Sequence, residues 1–282
     1  MKLWLPRTAE RVRRLINKTD MRVTQQLASG VIVRQDFRTA TRFVFFDTGL
    51  DYWQYATHGG TLFVVTYAGR PYALTCRHVL KDFEWRQIVV TNARMGRNIA
   101  GLKTVAYPSR PTEEAVGSDI LDVALIEFSD DIRADFFTDA AYILDPNTMG
   151  TSTVGDTLHI AGALKTPSEI GETAISPIYC LLETQDNTPT MRDVTLRRLV
   201  GKYNEPKFGD VLGLSGSPVF NVTTRQLCGM VVRGSMSGDT CTLWYVDMFD
   251  IAQLVVAVHE NRSETHYKKT LTRLVRTPYS AE

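Results

Sequence analysis

The chain has little cysteine for its length. Four cysteines occur among 282 residues, and no two of them have the short spacing of a zinc-binding motif. Disulfide-dependent proteins carry a denser cysteine framework, and here Cys228 and Cys241 form the one pair that could face each other across a hairpin. The composition therefore predicts a reduced protein without metal or other cofactor, and we expect a cytoplasmic location.

A charge excess and a long apolar run are also missing. The formal net charge is +1, so the sequence has no electrostatic footprint for nucleic acid. No apolar stretch reaches the about 18 residues of a membrane helix. The first residues turn polar at Arg7, Glu10 and Arg11, unlike a signal peptide. We therefore expect neither nucleic acid nor a membrane as partner, whereas 44% apolar residues are enough for a folded core.

Short apolar segments separated by turns dominate what is present. They occupy residues 41–129 and again 153–246, and residues 130–152 read as a linker. Helical spacing occurs over 7–18 and 247–260. The pattern suits an all-β protein with a barrel in each of the two regions, a C-terminal α-helix and an N-terminal helical arm. The predicted units are an N-terminal arm (1–40), a first barrel with linker (41–150), a second barrel (151–250), and a C-terminal helix and tail (251–282).

The segment Gly213-Leu-Ser-Gly-Ser-Pro218 places a serine between glycines just before an apolar run. Glycine permits backbone conformations that a side chain forbids, so such a turn can hold the Ser215 hydroxyl clear of its own backbone. The amides of Gly213 and Ser215 can then point at one spot and form an oxyanion hole for acyl transfer. An ordinary β-turn is the alternative reading of this segment taken alone.

Two chemical partners for this serine lie upstream in the sequence. His78 follows a predicted hairpin formed by residues 61–67 and 72–75, and Asp122 opens the apolar strand 123–126. A histidine base and an orienting carboxylate are what a weak serine nucleophile needs. The order His, Asp, Ser is one of the chain orders in which this triad occurs.

Other residues of the same types compete for these roles. Asp119 lies close to Asp122 but beside Gly117 and Ser118, as expected of a loop residue. His58 precedes the first strand of the predicted hairpin, so we interpret it as a surface or rim residue. The pattern therefore favours His78 and Asp122.

Three segments carry a family resemblance: Thr75-Cys-Arg-His-Val, Asp122-Val-Ala-Leu and Gly213-Leu-Ser-Gly-Ser-Pro. In this order they resemble the motifs of trypsin-like (chymotrypsin-fold) serine peptidases of the bacterial intracellular type, over about residues 41–250. The resemblance implies that Ser215 is the nucleophile, His78 the general base and Asp122 the group that orients it. It also implies an oxyanion hole formed by the amides of Gly213 and Ser215, and an all-β fold of two antiparallel six-stranded β-barrels.

The same resemblance implies a substrate-binding region. Gly209 takes the position at the floor of the primary pocket, with Asp210 one residue away. Val232 and Gly234 would bind substrate backbone as a short β ladder. Arg233 between them either favours an acidic substrate residue or is a solvated strand residue.

Leu214 stands where secreted members of the family carry an aspartate that pairs with a newly cut N-terminus. Leucine cannot form that pair, so we expect no activation by cleavage. The alternative is an oxyanion hole that collapses unless a partner protein binds.

The expected function is a serine endopeptidase that cleaves a protein or peptide through an acyl-enzyme, with a regulatory protein partner as an option. A catalytically silent scaffold that binds a partner and an esterase are the alternatives. An α/β-hydrolase is disfavoured because Pro218 and a β-like run, not a helix, follow the serine.

Overall fold

The computed structural model describes residues 40–47, 55–56, 60–80, 87–93, 98–109, 122–137, 142–145, 149–164, 178–186, 196–202, 213–267 and 270–279. The predicted N-terminal arm, except its last residue, lies outside these ranges. So do Gly209 and Asp210, and the competing residues His58 and Asp119.

The first half of the chain forms strands with a short helix between β5 and β6. The strands are β1 (Thr41–Phe43), β2 (Phe45–Asp47), β3 (Tyr55–Ala56), β4 (Thr61–Tyr67), β5 (Arg70–Cys76), β6 (Ile88–Val89), β7 (Leu102–Ser109), β8 (Val123–Phe128) and β9 (Tyr142–Ile143). The helix is α1 (Arg77–Leu80), and a 3₁₀ turn spans Ala134–Phe136. β4 and β5 form the predicted hairpin, whose turn at Ala68 and Gly69 has positive φ at both residues, as tight hairpin turns require.

The second half contributes β10 (Thr157–Leu164), β11 (Ile178–Asp186), β12 (Arg197–Lys202), β13 (Pro218–Asn221), β14 (Gln226–Ser237) and β15 (Thr240–Asp247). These strands close into a barrel in the order β10-β11-β12-β15-β14-β13, which confirms the predicted six-stranded second barrel. Inward side chains such as Leu158, Ile160 and Leu243 are buried because alternate residues of each strand face the interior. β14 bulges between Val231 and Arg233.

A helix and two further strands follow: α2 (Met248–His259), β16 (Glu264–Tyr267) and β17 (Thr270–Pro278). The Asp247 side chain caps α2 by accepting from the Phe249 amide at 2.9 Å. β17 pairs with β7, so the segment that the sequence analysis treats as a tail belongs to the first sheet. No helix in the described part of the chain is long and apolar enough to cross a membrane.

The first sheet differs from the predicted six-stranded barrel. Its eight strands run in the order β1-β4-β5-β8-β7-β17-β16, with β9 beside β4, and β2 pairs separately with β3 and β6. Among the described strands this sheet is not a closed ring. The reason is that β7 takes its second neighbour from the far end of the chain, a pairing that no local pattern specifies.

The two sheets share a hydrophobic core. One cluster joins the first sheet, α2 and outward residues of the second barrel, including Phe220, Met230 and Val232. Another fills the barrel itself and includes Leu214 and Tyr245. This shared packing presses the turn that carries Ser215 against the strands that lead to His78.

Candidate active site

His78 lies on α1, immediately after β5. Strand pairing sets Cys76 opposite Val123, and the Arg77 amide donates to the Asp122 carbonyl at 2.8 Å. The end of β5 and the start of β8 therefore lie side by side. Val79 and Leu80 are buried beneath the helix and anchor it.

The Asp122 carboxylate binds His78 twice. One oxygen accepts from the His78 amide at 2.9 Å, and the other lies 2.5 Å from Nδ1 of the ring. Because a carboxylate only accepts, Nδ1 carries a proton, and Nε2 of the neutral ring is left as an acceptor. The His78 side chain is 47% exposed, so this nitrogen is accessible to a reacting group.

Ser215 lies on a turn that glycine makes possible. Gly213 and Gly216 have φ of 101° and 87°, in the region that side chains disfavour. The Ser217 amide closes the turn by donating to the Leu214 carbonyl at 2.9 Å. Leu214 is buried inside the second barrel and fixes the turn from below.

Three contacts join this turn to the strands that carry His78. The Thr61 amide donates to the Ser215 carbonyl at 2.8 Å, and the Thr75 hydroxyl donates to the Thr61 carbonyl at 2.7 Å. The Cys76 thiol donates to the Val231 carbonyl at 3.2 Å, and the Gly216 amide donates to the same oxygen at 2.8 Å. The sequence elements of the predicted triad therefore meet at the boundary of the two sheets.

A hydrogen bond between the Ser215 hydroxyl and His78 is not present among the described residues. Such bonds are often long before substrate binds and tighten in the complex. In the described part of the chain, no acceptor is bonded to the amides of Gly213 and Ser215 either. Two amides without an acceptor on a glycine turn are the groups that an oxyanion hole requires.

One set of potential metal ligands overlaps this site. Sulfur of Cys76, a ring nitrogen of His78 and an oxygen of Asp122 lie within 4.8 Å of one another. However, burial raises the pKa of the Cys76 thiol well above its usual value, and the thiol already donates to a carbonyl. The carboxylate is engaged by the histidine. The donor set therefore fits a hydrogen-bonded pair beside a buried thiol better than a metal centre.

The predicted substrate-binding residues are described in part. Val232 is buried at the bulge of β14, whereas Arg233 and Gly234 are exposed. The guanidinium of Arg233 lies 4.8 Å from the centre of the Trp244 ring, which holds it against the barrel. Thr61 was missed by the sequence analysis, because a threonine at the start of a strand carries no motif.

Comparisons with known proteins were made by sequence and by structure. No family model matches the chain, and no curated protein matches it. The structure is similar to the scabies mite inactivated protease paralogue S-I1 (TM-score 0.52, 13% identity, covering 79% of this chain and 95% of that one). It is similar to HBP (TM-score 0.50, 14% identity, covering 83% and 96%).

A further solved structure is the serine endoprotease from Yersinia pestis, with a TM-score of 0.47 and 17% identity, covering 86% of this chain and 68% of that chain. Sequence identities this low are informative about architecture alone. The two similar structures with TM-scores of 0.52 and 0.50 show that the chain has the fold of trypsin-like serine proteases.

Proposed function

We propose that the chain is a trypsin-like serine endopeptidase that cleaves a protein or peptide substrate. The observation that carries the proposal is the pairing of His78 with Asp122 beside a glycine turn that bears Ser215. Each group has the surroundings its role needs: an oriented imidazole, an accessible Nε2 and two amides without an acceptor in the described part of the chain.

The chemistry follows from these positions. The Ser215 oxygen attacks the substrate carbonyl carbon while Nε2 of His78 takes its proton. The amides of Gly213 and Ser215 donate to the oxyanion of the tetrahedral intermediate. The imidazolium then gives its proton to the leaving amine as the peptide bond breaks, and an acyl-enzyme results. Water repeats the sequence and releases the acid. Asp122 keeps the proton on Nδ1 and stabilises the imidazolium.

A catalytically silent scaffold is the second candidate. Two observations favour it: the Ser215 hydroxyl has no hydrogen bond to His78 among the described residues, and one protein with a similar fold is an inactivated protease paralogue. The His78–Asp122 pair argues for activity. The His78 ring is exposed, so the fold does not need the 2.5 Å contact that orients it.

The proposal includes the substrate-binding edge and the cellular setting. β14 offers Val232 and Gly234 to substrate backbone, with Arg233 facing one substrate side chain. The proposal keeps the bacterial intracellular type of enzyme. Cys76, Cys228 and Cys241 are free and buried, which supports a reducing, cytoplasmic compartment. Cys228 and Cys241 do not form the bridge that the sequence left open. Leu214 in the barrel core supports a turn that forms without N-terminal cleavage.

Labelling with a fluorophosphonate probe tests the proposal. The wild-type chain should react, and Ser215→Ala should lose labelling and peptide hydrolysis while its circular dichroism and Tm stay close to wild type. Ser217→Ala is the matched control, since it removes a neighbouring hydroxyl and should keep labelling. A wild-type chain that never labels would favour the silent scaffold, and a reactive Ser215→Ala would assign the nucleophile elsewhere.

A further inference from the structure

The carbonyl of Gly213 is held by a side chain from the other sheet. The Thr61 hydroxyl donates to this oxygen at 2.8 Å, across 152 positions of sequence. Thr61 is fully buried at the start of β4. Its own amide donates to the Ser215 carbonyl at 2.8 Å. One residue therefore binds the turn at two points, on either side of Leu214.

These bonds fix three successive peptide planes. The Gly213 carbonyl accepts from the Thr61 hydroxyl, the Leu214 carbonyl from the Ser217 amide, and the Ser215 carbonyl from the Thr61 amide. The plane that includes the Leu214 carbonyl also includes the Ser215 amide, so the Thr61 bonds clamp the planes before and after it. Gly213 has no side chain and a positive φ, so its own side chain does not hold its orientation.

We propose that Thr61 is a positioning residue for the reaction: its hydroxyl holds the turn in the orientation that aims the Gly213 and Ser215 amides at the oxyanion. This rests on the proposed function of Ser215. Oxyanion stabilisation depends on donors that are already oriented when charge develops, and a donor that must first reorient loses that advantage. The hydroxyl of Thr61 supplies the orientation from the first sheet, while Leu214 supplies it from the barrel core.

Thr61→Val tests the proposal, because valine has nearly the same shape and lacks the donor. We expect kcat to fall about 10- to 100-fold with KM changed less than about 3-fold, since a small misplacement of catalytic groups has effects of this size. Thr61→Ser keeps the hydroxyl and should restore most of kcat. Hydrogen exchange of the peptide that contains residues 213–217 should be faster in Thr61→Val and near wild type in Thr61→Ser.

Thr272→Val is the matched control. Thr272 is also buried in a strand, and its hydroxyl donates to the Thr265 carbonyl at 3.1 Å, away from the turn. It should lower Tm by a similar amount and leave kcat and the exchange of residues 213–217 unchanged. If Thr61→Val does not fold, Thr61→Cys, with a weaker donor of similar size, takes its place.

The outcomes separate this inference from the proposed function. A Thr61→Val enzyme that loses Tm yet keeps kcat and slow exchange would show a purely structural hydroxyl and overturn the inference. If the wild-type chain neither labels nor hydrolyses peptides, the proposed function fails and the catalytic role of Thr61 fails with it. Faster exchange in Thr61→Val would then still show that the hydroxyl holds the turn.

Discussion

At the scale of single residues, Asp122 decides which ring nitrogen of His78 carries the proton, because its carboxylate faces Nδ1. Asp122→Asn replaces an oxygen that can only accept by an amide that can donate, so the ring can take the wrong tautomer with little change in shape. Turnover should fall about 10⁴-fold with the fold intact. Steady-state kinetics on one peptide substrate, with Asp119→Asn as control, measures this. If Asp119→Asn lowered turnover strongly and Asp122→Asn lowered it only slightly, Asp119 would be the residue that orients His78.

Gly216 is a second residue whose identity the structure requires. A Cβ there would lie 1.8 Å from the Thr61 carbonyl oxygen and 2.8 Å from the Thr75 hydroxyl, at a φ of 87°. Gly216→Ala should lower the free energy of unfolding by roughly 2–4 kcal/mol, because backbone must move as well as adopt a strained φ. Denaturant titration measures it, and loss of probe labelling should accompany it.

Gly155→Ala is the control for Gly216→Ala, because it introduces the strained φ without crowding by neighbouring atoms. Gly155 has a similar φ of 92°, but nothing lies within 4 Å of the added Cβ. It should cost only about 1–2 kcal/mol, the strain of the left-handed region alone. Equal losses in the two variants would mean that the contact with Thr61 is unimportant.

At the scale of elements, the middle of β14 is held by the serine turn and the part of the strand after the bulge is mostly exposed. Val231 is bonded to the Ser215 turn through both its amide and its carbonyl, and β14 then continues past the bulge with Arg233 exposed. A peptide that pairs along this edge would place one side chain beside Arg233, because directly opposed residues of neighbouring strands share a face.

Arg233→Ala should therefore reduce kcat/KM for peptides with an acidic residue near the scissile bond. An exposed ion pair contributes about 0.2–1 kcal/mol, so the loss should be about 1.4- to 5-fold. A library with glutamate at each position around the cleaved bond would locate the effect. Arg198→Ala is the control, since Arg198 on β12 is opposite Trp244 in the sheet, on the side of β15 away from β14. An equal loss with neutral peptides would argue against recognition of acidic substrates.

At the scale of the whole molecule, Tyr72 joins the first sheet to the C-terminal helix. Its hydroxyl is bonded to Nδ1 of His259 at 2.9 Å, and β5 thereby contacts the last turn of α2. Burial, aided by the charge of Glu127, raises the pKa of Tyr72 to about 12 from an ordinary value of 10.0. The fold thus favours the neutral phenol over the phenolate.

The raised pKa of Tyr72 makes the free energy of unfolding depend on pH. The stability from neutral Tyr72 is fully present below pH 10 and is lost as pH rises from about 10 towards 12, because the unfolded chain releases the proton first. Tyr72→Phe should flatten this decline in the free energy of unfolding. Part of the decline should remain, since burial also raises the pKa of Tyr245 and Tyr279. An unchanged slope in urea titrations between pH 9 and 12 would contradict the prediction.

The sequence by itself determined the mostly β character, the closed second barrel and the helix that Asp247 caps. Each of these leaves a local record: alternating apolar residues, turn glycines and a capping carboxylate beside a helical period. Strands β10 to β14 all lie within the predicted β region 153–246 for this reason, and β15 ends one residue beyond it. The roles of His78, Asp122 and Ser215 as a triad stay a prediction from motifs.

Only the tertiary structure decided which strands are neighbours and what holds the serine turn. The pairing of β17 with β7 and the bond from Thr61 to Gly213 join residues far apart in the chain. Such contacts depend on how the two sheets pack. The sequence around a threonine or an edge strand does not specify which distant residue it will contact. The local pattern therefore specified the elements, and long-range packing set the orientation of the site between them.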